Sequence, residues 1–333
     1  MNETNRVQER ILEPERKICD PHHHLWDRST DPYLLPELLD DLRSGHNIVS
    51  TVFVECMSMY RGTGPLPLRP VGETEFVRGI GAMSASGRYG PTQVAAGIVS
   101  YADLTLGATV REVLEAHQQA GGDRFCGIRH AAGWDPHEEI KNSHTNPKAS
   151  LMLDEQFNLG MEVLGEMGLT FDAWFYHHQM KEFVQLAKSH PDVTMILDHL
   201  GGPLGTGPYE GKHEEIFRRW QEDISHLIDC KNVYFKLGGI NMERNGFGWH
   251  LRPQLPDSDE LINRTGHYYE FCIQQFGAER CMFESNFPVD KISCSYDVLW
   301  NAFKKLTEGY SEIDKSALFH DTAVAAYQLD GRV

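Results

Sequence analysis

Eight short apolar runs, separated by polar or amphipathic stretches, constrain this 333-residue chain more than any other feature. They lie at 17–22, 50–56, 93–100, 125–130, 169–176, 193–200, 232–239 and 280–286. Apolar runs this short, bounded by turn residues, read as strands buried on both faces. Several are preceded by segments with the 3.6-residue spacing of amphipathic helices: 106–121, 180–191, 214–230 and 265–277. Strand and helix in alternation imply a parallel sheet covered by helices, and eight units predict an α/β fold of the closed (β/α)8 barrel type with long loops after the strands. An open dinucleotide-binding sheet would place a GxGxxG turn after the first strand, and His22, His23 and His24 stand there instead. The chain therefore reads as an N-terminal arm, 1–16, and one barrel domain, 17–333.

Charge excludes some partners. Asp and Glu number 48 against 31 Lys and Arg, a net charge of −17. Such a surface repels nucleic-acid backbones and anionic lipid, so neither is an expected partner. The seven cysteines show no CxxC spacing and read as buried reduced thiols. The polar N-terminus lacks a signal-like apolar core, and no stretch has the apolar length of a membrane span. The expectation is a cytoplasmic enzyme with a small-molecule substrate, and association into a homo-oligomer is open.

The loops are lopsided. Connections entering strands are short, whereas 57–72, 131–149, 201–212 and 239–257, which leave strands, are long. In a barrel these line the face that carries active sites. On that face the first strand ends in His22-His23-His24, the fifth runs to His178 and the sixth to His199. Side chains alternate along a strand, so His22 and His24 share one side, with Asp20 a layer deeper. Such an HxH pair can hold a metal ion, grip a substrate group or be a hydrogen-bonded buried pair. Arg129 and His130 end the fourth strand. A guanidinium there suits a carboxylate or lactone carbonyl, or a structural ion pair. Lys236, inside an apolar strand, needs a buried partner. Tyr60, Arg61, Trp134, Arg244 and Trp249 sit in the long loops and are candidate pocket residues.

Taken together, DPHHHLWD, GIRH, FDAWFYHHQ, LDHLGGP and FESNFPVD resemble the amidohydrolase superfamily, in its amidohydrolase-related group. That group includes sugar-acid lactonases and 2-pyrone-4,6-dicarboxylate lactonase. The resemblance runs from about residue 17 to near the C-terminus. It implies that His22, His24 and His199 are the metal ligands if a metal is bound, and that His178 is the fifth-strand histidine. It also implies either no cofactor or one divalent ion, zinc or manganese. The fourth strand offers no lysine for a bridged two-metal site. The family's eighth strand carries a water-activating aspartate where this chain has Asn286, and an amide cannot take a proton from water. Glu284 or His178 is the expected base.

Three functions follow. The first is hydrolysis of a lactone or related cyclic ester, with Arg129 and the His22/His24 pair stabilising the oxyanion. The second is a metal-dependent decarboxylase of a carboxylated aromatic or related acid. The third is a binding barrel that has lost its base.

Overall fold

The structure, a computed structural model, describes residues 7–329 and 331. Eight strands form one parallel sheet in chain order: β1 (Lys17–His23), β2 (Asn47–Val54), β3 (Gln93–Ser100), β4 (Phe125–Arg129), β5 (Thr170–Ala173), β6 (Met195–Leu197), β7 (Val233–Leu237) and β8 (Cys281–Phe283). A helix follows each: α1 (Leu35–Leu42), α2 (Val71–Ala85), α3 (Val110–Gly121), α4 (Glu155–Glu166), α5 (Met180–Ser189), α6 (His213–Ile224), α7 (Ser258–Phe276) and α8 (Tyr296–Leu306). The sheet returns on itself just past β8, where Asn286 N donates to His22 O at 3.0 Å and His24 N to Phe287 O at 2.8 Å. This is the expected (β/α)8 barrel.

Several strands stop earlier than their apolar runs. The β6 run continues to Leu200, but His199 and Leu200 take left-handed backbone angles, φ 52° and 58°. Non-glycine residues there cost of order 1–3 kcal/mol each and persist only where their surroundings hold them. The turn brings His199 against Glu284, just past β8. In the other direction, α7 begins seven residues before the expected position 265, because Asp257 caps it by accepting from Glu260 N at 2.8 Å.

Strand β1 departs from simple alternation. Its register with β2 shifts between Asp20 and His23. Asp20 therefore does not lie beneath the His22/His24 pair, and instead accepts from Ser285 Oγ (2.6 Å) and Tyr296 OH (2.9 Å), tying β1 to α8 across the seam.

The helices cover the barrel with large apolar side chains. Phe235 stacks on Phe276 of α7 with ring centroids 4.0 Å apart, and Phe283 on Phe303 of α8 at 4.4 Å. Each such burial contributes roughly 1.5–3 kcal/mol. After α9 (Glu312–Ser316), helix α10 (Thr322–Ala326) and Tyr327 close the lower end against Cys19, Val52, Val99 and Ile196. Of the expected arm, 1–16, the described part includes Glu9, Leu12 and Glu13, which bond to α7 and α8 through Ser258, Asn301 and Lys304. No helix among the described residues is long and apolar enough to cross a membrane.

Candidate active site

Beneath the barrel mouth lies a buried ionic layer. Lys236 Nζ on β7 stands 2.7 Å from Asp172 Oδ2 on β5 and 2.9 Å from Asp198 Oδ1 at the end of β6. Tyr327 reaches up from the lower plug to donate to the same Asp172 oxygen at 2.6 Å. Arg129, at the end of β4, donates through Nε to Glu55 Oε1 at 2.8 Å and through Nη2 to the Glu55 carbonyl. Its Nη1 lies 3.4 Å from Asp198 Oδ2. Charges this deep are tolerated only because each has opposite partners. Burial opposes the Lys236 charge, but Asp172 and Asp198 hold the ammonium above its ordinary range. Burial likewise opposes charge on Asp198, yet Lys236 and His22 keep it well below the usual carboxylate range. Glu284, on the neighbouring side of the barrel just past β8, forms no ion pair with Lys236. The β5 and β6 acids take the ammonium.

Glu284 faces histidines instead. His199 Nδ1 lies 2.6 Å from Glu284 Oε1, which also accepts the His199 main-chain N–H at 3.2 Å. His22 Nδ1 lies 2.8 Å from Glu284 Oε2. Glycines make the space. A Cβ on Gly239 (φ +64°) would fall 1.8 Å from His199 Nδ1, and one on Gly238 2.6 Å from Glu284 Cγ.

These contacts assign the tautomers. An ionised carboxylate only accepts, so His199 carries its proton on Nδ1 and keeps a lone pair on Nε2. His22 instead meets a donor at each ring nitrogen, Lys236 Nζ 3.1 Å from Nδ1 and Arg129 Nη1 3.3 Å from Nε2. His24 Nδ1 donates to Val54 O at 2.7 Å, which again leaves Nε2 as an acceptor. Burial pushes His22 down to about 4 and His199 to about 3, and His24 well below its ordinary value. All three rings are neutral at neutral pH.

Above this layer opens a cavity of about 230 Å³. Among the expected site residues, His24, Arg129, His199, Arg244 and Asn286 line it. His22 and Glu284 form the buried layer under it. Asn286 is fixed by donating through Nδ2 to Asp290 Oδ1 at 2.9 Å.

The remaining expected residues lie elsewhere. His178 is held by Asp135 at 2.9 Å and stacks on Tyr209, apart from the His22, His24 and His199 cluster. The fifth strand sends Trp174 to the cavity instead, edge-on to His199 at 4.8 Å. His130 points outward, as alternation beside inward Arg129 requires, and its Nδ1 accepts from Leu104 N at 3.2 Å. Tyr60 is half-buried in the loop after β2, Arg61 pairs with Glu75 on the surface, and Trp249 stacks on Phe247. The Trp134 main-chain N–H donates to Gln179. None of these six expected residues, His178 included, lines the cavity.

Sequence reasoning passed over Glu55, Asp172, Asp198 and His144. The first three are acids within or beside apolar strand runs, the same signal that drew attention to Lys236. His144 comes from the loop after β4 to meet Glu55 at 3.0 Å, and nothing local marks it.

Among the described residues one set of side chains is compact enough to hold a metal ion: His22, Asp198 and His199, whose donor atoms lie within 4.8 Å of one another. Asp198 thus stands where His24 was expected.

With this barrel and site in view, the similarities to known proteins are informative. The family model for amidohydrolases matches residues 19–329, and the chain belongs to that family. It is an amidohydrolase-superfamily enzyme. It is 32% identical to the protein y4mH of Sinorhizobium fredii, over 94% of this chain and 98% of that one. It is 25% identical to an L-fucono-1,5-lactonase of Burkholderia multivorans over 53% of this chain and 57% of that protein. In fold it resembles an amidohydrolase from B. multivorans with bound zinc (TM-score 0.70, 20% identity, 94% and 99% of the two chains). It also resembles the manganese-bound 5-carboxyvanillate decarboxylase of Novosphingobium aromaticivorans (TM-score 0.59, 11% identity, 95% and 97%).

Proposed function

We propose that the protein hydrolyses a small lactone or related cyclic ester, with His199 as general base and Glu284 as the group that orients and supports it. The observation that carries this is the 2.6 Å contact between His199 Nδ1 and buried Glu284, which leaves the His199 Nε2 lone pair available in a cavity that Arg129 also lines. A carboxylate behind an imidazole fixes its tautomer and stabilises the imidazolium that forms when water gives up its proton. His24 has the same tautomer but only a neutral carbonyl behind it, so it is the weaker base. Neutral His24, whose N–H is taken by Val54 O, has none to donate to an oxyanion, and His22 lies beneath the cavity. Arg129 is left for that role, and His24 accepts a hydrogen bond from water or a substrate hydroxyl. The partial relative named a lactonase favours ester-ring hydrolysis over other family chemistries.

In this reading the carboxylate expected at position 286 has moved to 284 and works through His199. No step requires a metal. Asp198 Oδ1 and Glu284 Oε2 are buried without an aligned hydrogen-bond donor, which would suit a cation. However, Lys236 Nζ already stands 2.9 Å from Asp198 Oδ1 and 3.1 Å from His22 Nδ1, and Arg129 Nη1 3.3 Å from His22 Nε2. A divalent ion on His22 and Asp198 would sit against two fixed positive charges, so the donor set does not fit a resident metal.

The test is a panel of five- and six-membered lactones, with ring opening followed by proton release and carbon dioxide assayed in parallel on carboxylated aromatics. Ring opening that disappears in His199→Gln supports the reading. Carbon dioxide release without ring opening would replace it with decarboxylation, and no turnover with tight binding would favour the binding barrel.

A further inference from the structure

The chain carries 17 more acidic than basic residues, yet no Asp or Glu lines the cavity. Six of its thirteen lining residues are Arg28, Arg129, Arg244, His24, His144 and His199. The three arginines differ in what balances them. Arg129 is neutralised by Glu55 and Asp198. Arg28 and Arg244 have no carboxylate oxygen within 4.0 Å among the described residues.

Both guanidiniums are nevertheless held in place. Arg244 Nη1 donates to Tyr176 OH at 2.5 Å, and its guanidinium carbon lies 5.9 Å from the Trp174 ring centroid and 5.5 Å from that of Tyr176. Its main-chain carbonyl is fixed by Gly205 N at 2.9 Å. The Arg28 guanidinium carbon lies 3.8 Å over the Trp26 ring, and Trp26 in turn stacks on His24 at 6.1 Å. Positioned guanidiniums with their charge unanswered are donor forks for carboxylates. A neutral polyol could donate to the His24 Nε2 lone pair, but it would leave both guanidinium charges unanswered. The volume, below the roughly 300–1,000 Å³ usual for drug-sized ligands, limits the ligand to a small ring or short chain.

We propose that the substrate of this cavity is a small dianion, one carboxylate taken by Arg244 within the cavity and a second by Arg28 at its rim. The proposal rests on this cavity being the substrate site of the function above.

The experiment is calorimetric titration of the full chain with three probes of one shape: benzene-1,3-dicarboxylate, benzoate and benzene-1,3-dicarboxamide. The dianion is expected to bind at least about tenfold more tightly than the diamide, with benzoate between them. Arg244→Gln and Arg28→Gln are each expected to weaken the dianion about tenfold and leave the diamide within about twofold. Equal binding of dianion and diamide, no detectable dianion binding, or dianion affinity unchanged in both variants would overturn the proposal. The outcome is separable from the hydrolase reading. Dianion binding without any lactone turnover would count against hydrolysis alone, and turnover of neutral lactones as fast as anionic ones against the dianion alone.

Discussion

Replacing Glu284 by glutamine probes the proposed base most directly, because the change keeps shape and removes charge. In the wild-type site Glu284 accepts from His199 Nδ1 at 2.6 Å and faces His22 Nδ1 at 2.8 Å, fully buried. When His199 takes a proton from water, its positive charge forms about 4 Å from the carboxylate centre. At an effective dielectric near 20 that pair is worth about 4 kcal/mol, or a factor of about 10³ in rate. The expected result is a folded variant, by circular dichroism and denaturation, with kcat for lactone ring opening down about 10³-fold and KM changed far less. Glu284→Asp, which keeps the charge but shortens the reach, should fall between. A Glu284→Gln enzyme within threefold of wild type would refute the assignment of Glu284 as support for the base.

Three further outcomes follow from the same geometry. Because burial and nearby cations push His199 down to about 3, the acid limb of kcat/KM should lie well below pH 6, with no inflection near 6.5; a half-maximal rate at pH 6.5 would point to a different base. Lys236→Met leaves Asp172 and Asp198 buried without their ammonium and should cost about 3–5 kcal/mol, read from the urea midpoint at constant slope. Dialysis against a chelator should leave kcat within about twofold, whereas activity lost and then restored by zinc or manganese would overturn the argument that Lys236 and Arg129 exclude an ion.

Stability should also depend on acid in a defined direction. His23, His46 and His117 are held neutral by burial, with folded values near 4 against about 6.5 in the unfolded chain. The unfolded state therefore gains protons first as pH falls, and stability present above pH 6.5 is lost progressively towards pH 4. The urea midpoint should drop between pH 7 and 5, and a midpoint that rises over that interval would contradict the burial of these rings.

The barrel was legible because strands covered on both sides must be apolar throughout, and eight such runs with helices between them admit few closed arrangements. Strand ends were less legible. The β6 run reads as strand through Leu200, but His199 turns out of it on left-handed angles into space that Gly239, just past β7, leaves open. His22, His199, Arg129 and Glu284 could be picked out as polar residues near the ends of apolar runs. His178 resembled them in sequence, but Asp135 in the loop after β4 captures its ring. His144 and Arg28 carried no local signal, since loop residues reach a cavity only by the path the loop takes.

The amino-acid order by itself determined the periodicity, and with it the eightfold alternation and the face on which long loops and histidines gather. Which charge answers which was decided only in three dimensions. Lys236 could have met Glu284 on the adjacent strand but meets Asp172 and Asp198, which frees Glu284 for His199. The reason is physical: hydrophobic patterning acts along the chain and repeats, whereas a buried charge is settled by whichever partners lie within about 4 Å, and those arrive from strands far apart in sequence.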